Sequence, residues 1–137
     1  MNEKLLEDKY LAGVDIGGTW VRVSISPLDL NEENIITKIR KTPKENKYSI
    51  SKSVCHLLEE LLERQGIKKT SLIGIGLASA GPLDREHGEI FNNANLGFKV
   101  IPLKKPIEEK FPDIPIYLIN DCNAAVLGVH YFEAARE

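Results

Sequence analysis

Apolar residues in this chain change period several times, and each change marks an element. From Tyr10 to Ile16 the run is apolar with one charge, Asp15, near its end, which predicts a buried strand. Gly17-Gly18 then breaks the run as a turn. Between Val21 and Ser26, Val21, Val23 and Ile25 alternate with Arg22, Ser24 and Ser26, the period-two pattern of a half-buried strand. Pro27 and the polar stretch through Asn34 end it, and Ile35 to Lys41 predicts a third strand closed by Pro43. The chain therefore opens as a three-strand antiparallel meander.

The period then changes to that of a helix. Val54, Leu57, Leu58, Leu61 and Leu62 fall at i, i+3, i+4, i+7 and i+8, one stripe of an amphipathic helix over 49–65. Ser49 or Ser51 is expected to cap its start, and Gly66 stands where a glycine ends a helix. Leu72 to Ala78 is nearly all apolar around Gly74 and Gly76, a buried strand that other groups approach closely. Residues 81–98 are rich in turn formers and predict short hairpin strands and a loop outside the main sheet. Pro106 opens a short helix ending near Phe111, Ile116 to Ile119 is a last buried strand, and a helix follows from Asp121. The order β-β-β-α-β-hairpin-α-β-α predicts an α/β fold, a mixed five-stranded sheet with helices on both faces. The last helix reaches Glu137 without a capping glycine, proline or polar tail, so the chain is expected to continue.

Bulk properties narrow the function by exclusion. With 137 residues, a polar extension over 1–9 and one domain over 10–137 are expected. The 18 basic and 20 acidic residues leave a net charge of -2, which gives no reason to expect a nucleic-acid or membrane partner. The start of the chain has no apolar signal-peptide region and no run approaches a membrane span, so a cytoplasmic protein is expected. Cys55 and Cys122 are far apart and read as free thiols. These cysteines and His56, His87 and His130 share no metal-ligand spacing, so no zinc site is expected.

Two short motifs about a hundred residues apart carry the chemistry. Asp15-Ile16-Gly17-Gly18-Thr19 fits a plain tight hairpin, since two glycines between alternating strands are a hairpin signature. It also fits a turn that lays backbone N–H groups of Gly17 and Gly18 and the Thr19 hydroxyl against a phosphate, with Asp15 holding Mg²⁺ through water. Asn120-Asp121 fits a helix N-cap. It also fits a carboxylate at the C-terminal end of a sheet strand, placed to take a proton from an attacking hydroxyl. Asn95 and Asn120 then offer hydrogen bonds to the other hydroxyls of a polyol. Ala78 through Asp84 is either a strand exit or a backbone wall for a small ligand.

These motifs, in this order, resemble the N-terminal domain of the ROK family of repressors and sugar kinases, within the actin/hexokinase/Hsp70 superfamily. Val14 through Thr19 is similar to the family's first phosphate motif, and Gly76 through Asp84 to its G-x-x-x-x-G-P-x-D segment. Asn95-Leu96-Gly97-Phe98 with Ile101-Pro102-Leu103 resembles its sugar loop, and Asn120 through Gly128 its N-D-x-N-A-A-x-x-G segment. The resemblance spans about residues 10–135 and implies a ribonuclease H-like (actin-like ATPase) domain.

By position it implies that Asp121 is the general base for a hexose 6-hydroxyl, with Asn95, Asn120 and Asp121 on sugar hydroxyls and Gly81 lining the pocket. Gly17, Gly18 and Thr19 would face ATP phosphates, with Asp15 near Mg²⁺. Trp20 stands where the family often has a basic residue, and phosphate binding is still expected. The resemblance further implies glucose as first substrate, no DNA-binding extension, and a missing second lobe without which the chain is inactive. An apolar face on the last helix would favour a homodimer. The competing expectation is a standalone sugar- or phosphate-binding or regulatory module of the same fold without turnover.

Overall fold

The structure, a computed structural model, describes residues 9–29 and 31–120. Its first three strands are β1 (Tyr10–Ile16), β2 (Trp20–Pro27) and β3 (Ile36–Lys41). Helix α1 (Ser49–Arg64) leads to β4 (Leu72–Ser79). Three short strands follow, β5 (Leu83–Asp84), β6 (Glu89–Phe91) and β7 (Val100–Pro102), then α2 (Lys104–Lys110) and β8 (Ile116–Asn120). The main sheet has the order β3-β2-β1-β4-β8. β1, β2 and β3 pair antiparallel, and β4 and β8 join parallel to β1. This is the mixed five-stranded sheet that the order of elements predicts.

The register explains the burial. Val14 pairs with Val23 and Ile16 with Val21, so their side chains share one face, and Ile75, Leu77, Ile116 and Leu118 extend it. The α1 stripe of Val54, Leu57, Leu58, Leu61 and Leu62 packs on that face, fully or almost fully buried. Each such side chain contributes roughly 1.5–3 kcal/mol of apolar burial. Ile107 of α2 and Phe111 just after it join the same core, as do Ile90 and Ile101 from the small β5-β6-β7 sheet. The opposite face of the main sheet carries Asp15, Arg22, Ile39 and Tyr117, all exposed. The helix expected to cover it begins at Asp121 and lies outside the described residues.

Element ends follow from identifiable bonds. α1 stops in a Schellman motif: Gly66, at φ +65°, donates its N–H to the Glu63 carbonyl at 3.1 Å, and Ile67 donates to Leu62 at 2.9 Å. Its start departs from expectation, because neither serine caps it. Tyr48 is the N-cap and makes no side-chain cap bond. The Ser49 Oγ instead accepts the Asn46 N–H at 2.9 Å, and the Ser51 hydroxyl donates to the Tyr48 carbonyl at 3.0 Å. α2 begins at Lys104, two residues before Pro106, which the first turn accommodates because its N–H groups lack intrahelical partners. β3 starts one residue late, since Glu32–Asn34 form a 3₁₀ turn. Glu60 of α1 pairs with Lys38 and Arg40, tying this edge strand to the helix.

Candidate functional site

The β1–β2 connection is a hairpin in which the Gly17 N–H donates to the Trp20 carbonyl at 2.9 Å, leaving Gly18 and Thr19 at the tip. What Gly17 offers an anion is therefore absence of a side chain, its own N–H being committed. The N–H groups of Gly18 and Thr19 take no partner among the described residues. The tip is held from behind by Thr42, just beyond β3. Its hydroxyl donates to the Gly17 carbonyl at 2.7 Å and its N–H to the Thr19 carbonyl at 2.8 Å. With both carbonyls drawn toward buried Thr42, the turn keeps a fixed shape without relying on a ligand.

A second loop meets this tip. A Cβ on Gly18 would lie 3.2 Å from the Asn95 Cβ, so only a bare backbone lets the two loops sit this close. Asn95 is itself placed by Asn93, a buried residue whose side-chain amide and backbone carbonyl are both engaged. The Asn93 Oδ1 accepts the Asn95 N–H at 2.9 Å, and its carbonyl accepts the N–H groups of Leu96 and Gly97 at 3.2 and 3.3 Å. Its Nδ2 donates to the Gly81 carbonyl at 3.1 Å. A Cβ on Gly81 would in turn lie 3.3 Å from the Asn120 Nδ2. Contacts thus run unbroken from Gly18 through Asn95, Asn93 and Gly81 to Asn120, joining segments a hundred residues apart.

Asn120 pairs with Ser79 at the last rung between β8 and β4, so within the described residues it is a strand residue at the C-terminal edge of the sheet. Asp121 follows it and lies outside the described residues. Asp15 stands apart from the contact chain, exposed on the sheet face away from α1, opposite Arg22 on β2 and beside Ala78 on β4. A depression of about 290 Å³ lies there, lined by Gly13, Asp15, Arg22, Gly76 and Ile119 among others. Trp20, 57% exposed, flanks the turn.

Two residues of this arrangement, Thr42 and Asn93, escaped the sequence reading. Asn93 had a signal: an Asn two residues before another suits a side chain accepting the N–H at i+2. Thr42 had none, because its partners are carbonyls 23 and 25 positions back, set by strand register. For ATP, the turn offers two N–H groups without a partner among the described residues, a hydroxyl and a close approach free of side chains, and Asp15 supplies a carboxylate of the kind Mg²⁺ takes. The residues present fit both groups.

The sequence profile of the ROK family matches residues 11–137, and the chain belongs to this family. A glucokinase from Halalkalibacterium halodurans is 30% identical over 125 residues, which cover 90% of this chain and 37% of that protein. A xylose repressor from Caldicellulosiruptor bescii is 26% identical over 125 residues, covering 89% of this chain and 30% of the repressor. The crystal structure of a ROK family glucokinase from Streptomyces griseus, in complex with glucose and AMPPNP, superposes with a TM-score of 0.68 at 25% identity, covering 85% of this chain and 35% of that one. The chain thus spans about a third of the length of the relatives it matches.

Proposed function

We propose that this ROK-family chain carries the N-terminal lobe of an ATP-dependent, glucokinase-like hexose kinase, with glucose as the first substrate to test. The observation that supports the reading most is the contact chain from Gly18 to Asn120, because it links a glycine turn suited to an anion, through Asn95, Asn93 and Gly81, to a second amide suited to a polyol. A relative with the same fold carries glucose and AMPPNP. In this reading Gly17, Gly18 and Thr19 border the ATP phosphates and Asp15 holds Mg²⁺ through water. Asn95 and Asn120 fix the sugar hydroxyls, with Gly81 as a wall that leaves the Asn120 amide its place. Asp121 orients the 6-hydroxyl and takes its proton, a role typically worth about 10²–10⁴ in rate. ATP with Mg²⁺, when bound, supplies the phosphoryl group, and what remains for the protein is positioning and charge stabilisation.

A second reading rests on the xylose repressor relative: a sugar-binding module without turnover. Backbone resonances of the labelled chain separate the two. For a kinase lobe, glucose shifts Asn95 and Asn120, and Mg²⁺ with AMPPNP separately shifts Gly18 and Thr19. A module that binds only sugar shows the first set alone. If neither ligand shifts either set, the site assignment fails.

A further inference from the structure

We propose that the tip of the β5–β6 hairpin binds a divalent transition cation through Asp84, His87 and Glu89, with Zn²⁺ the ion it takes first. The inference is independent of the kinase reading. The segment is Asp84-Arg85-Glu86-His87-Gly88-Glu89. Asp84 and Glu89 are partners on the last rung of the hairpin, so their carboxylates leave one face side by side. The turn between them brings the imidazole over the same face. One donor atom from each of the three residues lies within 4.8 Å of the other two.

The donor set selects the ion. Two carboxylate oxygens balance a dication, and an imidazole nitrogen favours Zn²⁺ and its neighbours over Mg²⁺ or Ca²⁺, which prefer oxygen throughout.

The ligands are also held in advance. The Asp84 Oδ1 accepts the His87 N–H at 3.0 Å, and its Oδ2 meets the imidazole Nδ1 at 2.7 Å. The Gly88 carbonyl accepts the N–H groups of Leu103 and Lys104, at 3.1 and 3.0 Å, which pins the turn to the start of α2.

A separate feature gives the ion something to face. His87 and Glu89 form part of the wall of a cleft of about 920 Å³ between α1, the small sheet and α2. Three protein ligands beside an open cleft leave coordination positions for water or an incoming ligand, the pattern of zinc sites that are not purely structural. Lys52 and Lys105 on the same cleft walls suit that ligand to an anion. The expectation of no zinc site rests on Cys and His spacing, which leaves out carboxylates; the hairpin register supplies two.

The test is calorimetric titration of Zn²⁺ into the EDTA-stripped, tag-free chain, with His87→Ala and Glu89→Gln as variants. Neither variant removes the bond from the Asp84 side chain to the turn backbone, and circular dichroism with a melting curve confirms that each folds. The expected result is one Zn²⁺ per chain, with affinity reduced about tenfold or more in each variant, the scale on which metal-site mutations act. No measurable Zn²⁺ binding overturns the proposal. So does binding that is unchanged in either variant, which would assign the ion to other residues.

Discussion

Thr42 bonds two carbonyls of the Gly17–Thr19 turn and is itself buried, so its hydroxyl shapes a loop that never touches it in sequence. Thr42→Val keeps the size and the backbone N–H but strips the Gly17 carbonyl of its donor. Taking the donor from this part-buried acceptor costs about 0.5–1.5 kcal/mol, and that loss is the expected change in a urea unfolding curve. If the turn binds ATP phosphates, affinity for Mg²⁺–AMPPNP falls in the same variant while glucose binding at Asn95 and Asn120 changes less. An unfolding curve that does not move would show the bond carries no stability. Asp15, Gly17, Gly18, Thr19, Gly81, Asn95 and Asn120 were all readable as candidates because turn glycines and strand-end amides have a local signature. Thr42 was not, since a residue whose partners are fixed by register looks in sequence like any strand end.

Among elements, Gly66 and Gly88 share one backbone conformation, at φ +65° and +67°, yet their surroundings differ. A Cβ on Gly66 meets nothing within 4 Å, whereas one on Gly88 would fall 2.1 Å from the Lys104 Cβ at the start of α2. Gly66→Ala therefore costs only the left-handed strain, about 1 kcal/mol. Gly88→Ala adds a collision that the small sheet or α2 must relieve by moving, and a total of roughly 3 kcal/mol or more is expected. Denaturant unfolding of both variants checks the difference. Equal losses would mean that α2 yields freely at the Gly88 contact. The same contrast marks what sequence reveals of elements. The α1 stripe and the Gly66 stop were legible because they repeat or punctuate within one helix. The cap at Tyr48 and strand β7 were not: the first depends on how the chain arrives from Asn46, and the second is three residues long. The docking of Gly88 on α2 joins elements 16 positions apart.

For the whole molecule, a mixed five-stranded sheet opening on an antiparallel meander was readable because three alternating or apolar runs precede α1 and two follow it. Whether these strands suffice for the proposed phosphoryl transfer turns on charge. The candidate residues bring Asp15 and Asp121, both negative, together with neutral glycines, amides and a hydroxyl, and the chain as a whole has a net charge of -2. Phosphoryl transfer from a polyanionic donor needs charge stabilisation and alignment from both sides of a closed site. The chain covers 37% of the glucokinase relative, so most of that protein has no counterpart in these residues. The expected outcome is that the purified 137 residues, given glucose, ATP and Mg²⁺, release ADP no faster than a glucose-free control, and that Asp121→Asn changes nothing. In a protein that spans the relatives' full length, the same substitution should lower kcat by about 10²–10⁴ with a much smaller effect on KM, because a base acts on the transition state more than on binding. Glucose-dependent ADP release by the 137 residues alone, abolished by Asp121→Asn, would mean that one wall suffices and that the charge argument is wrong.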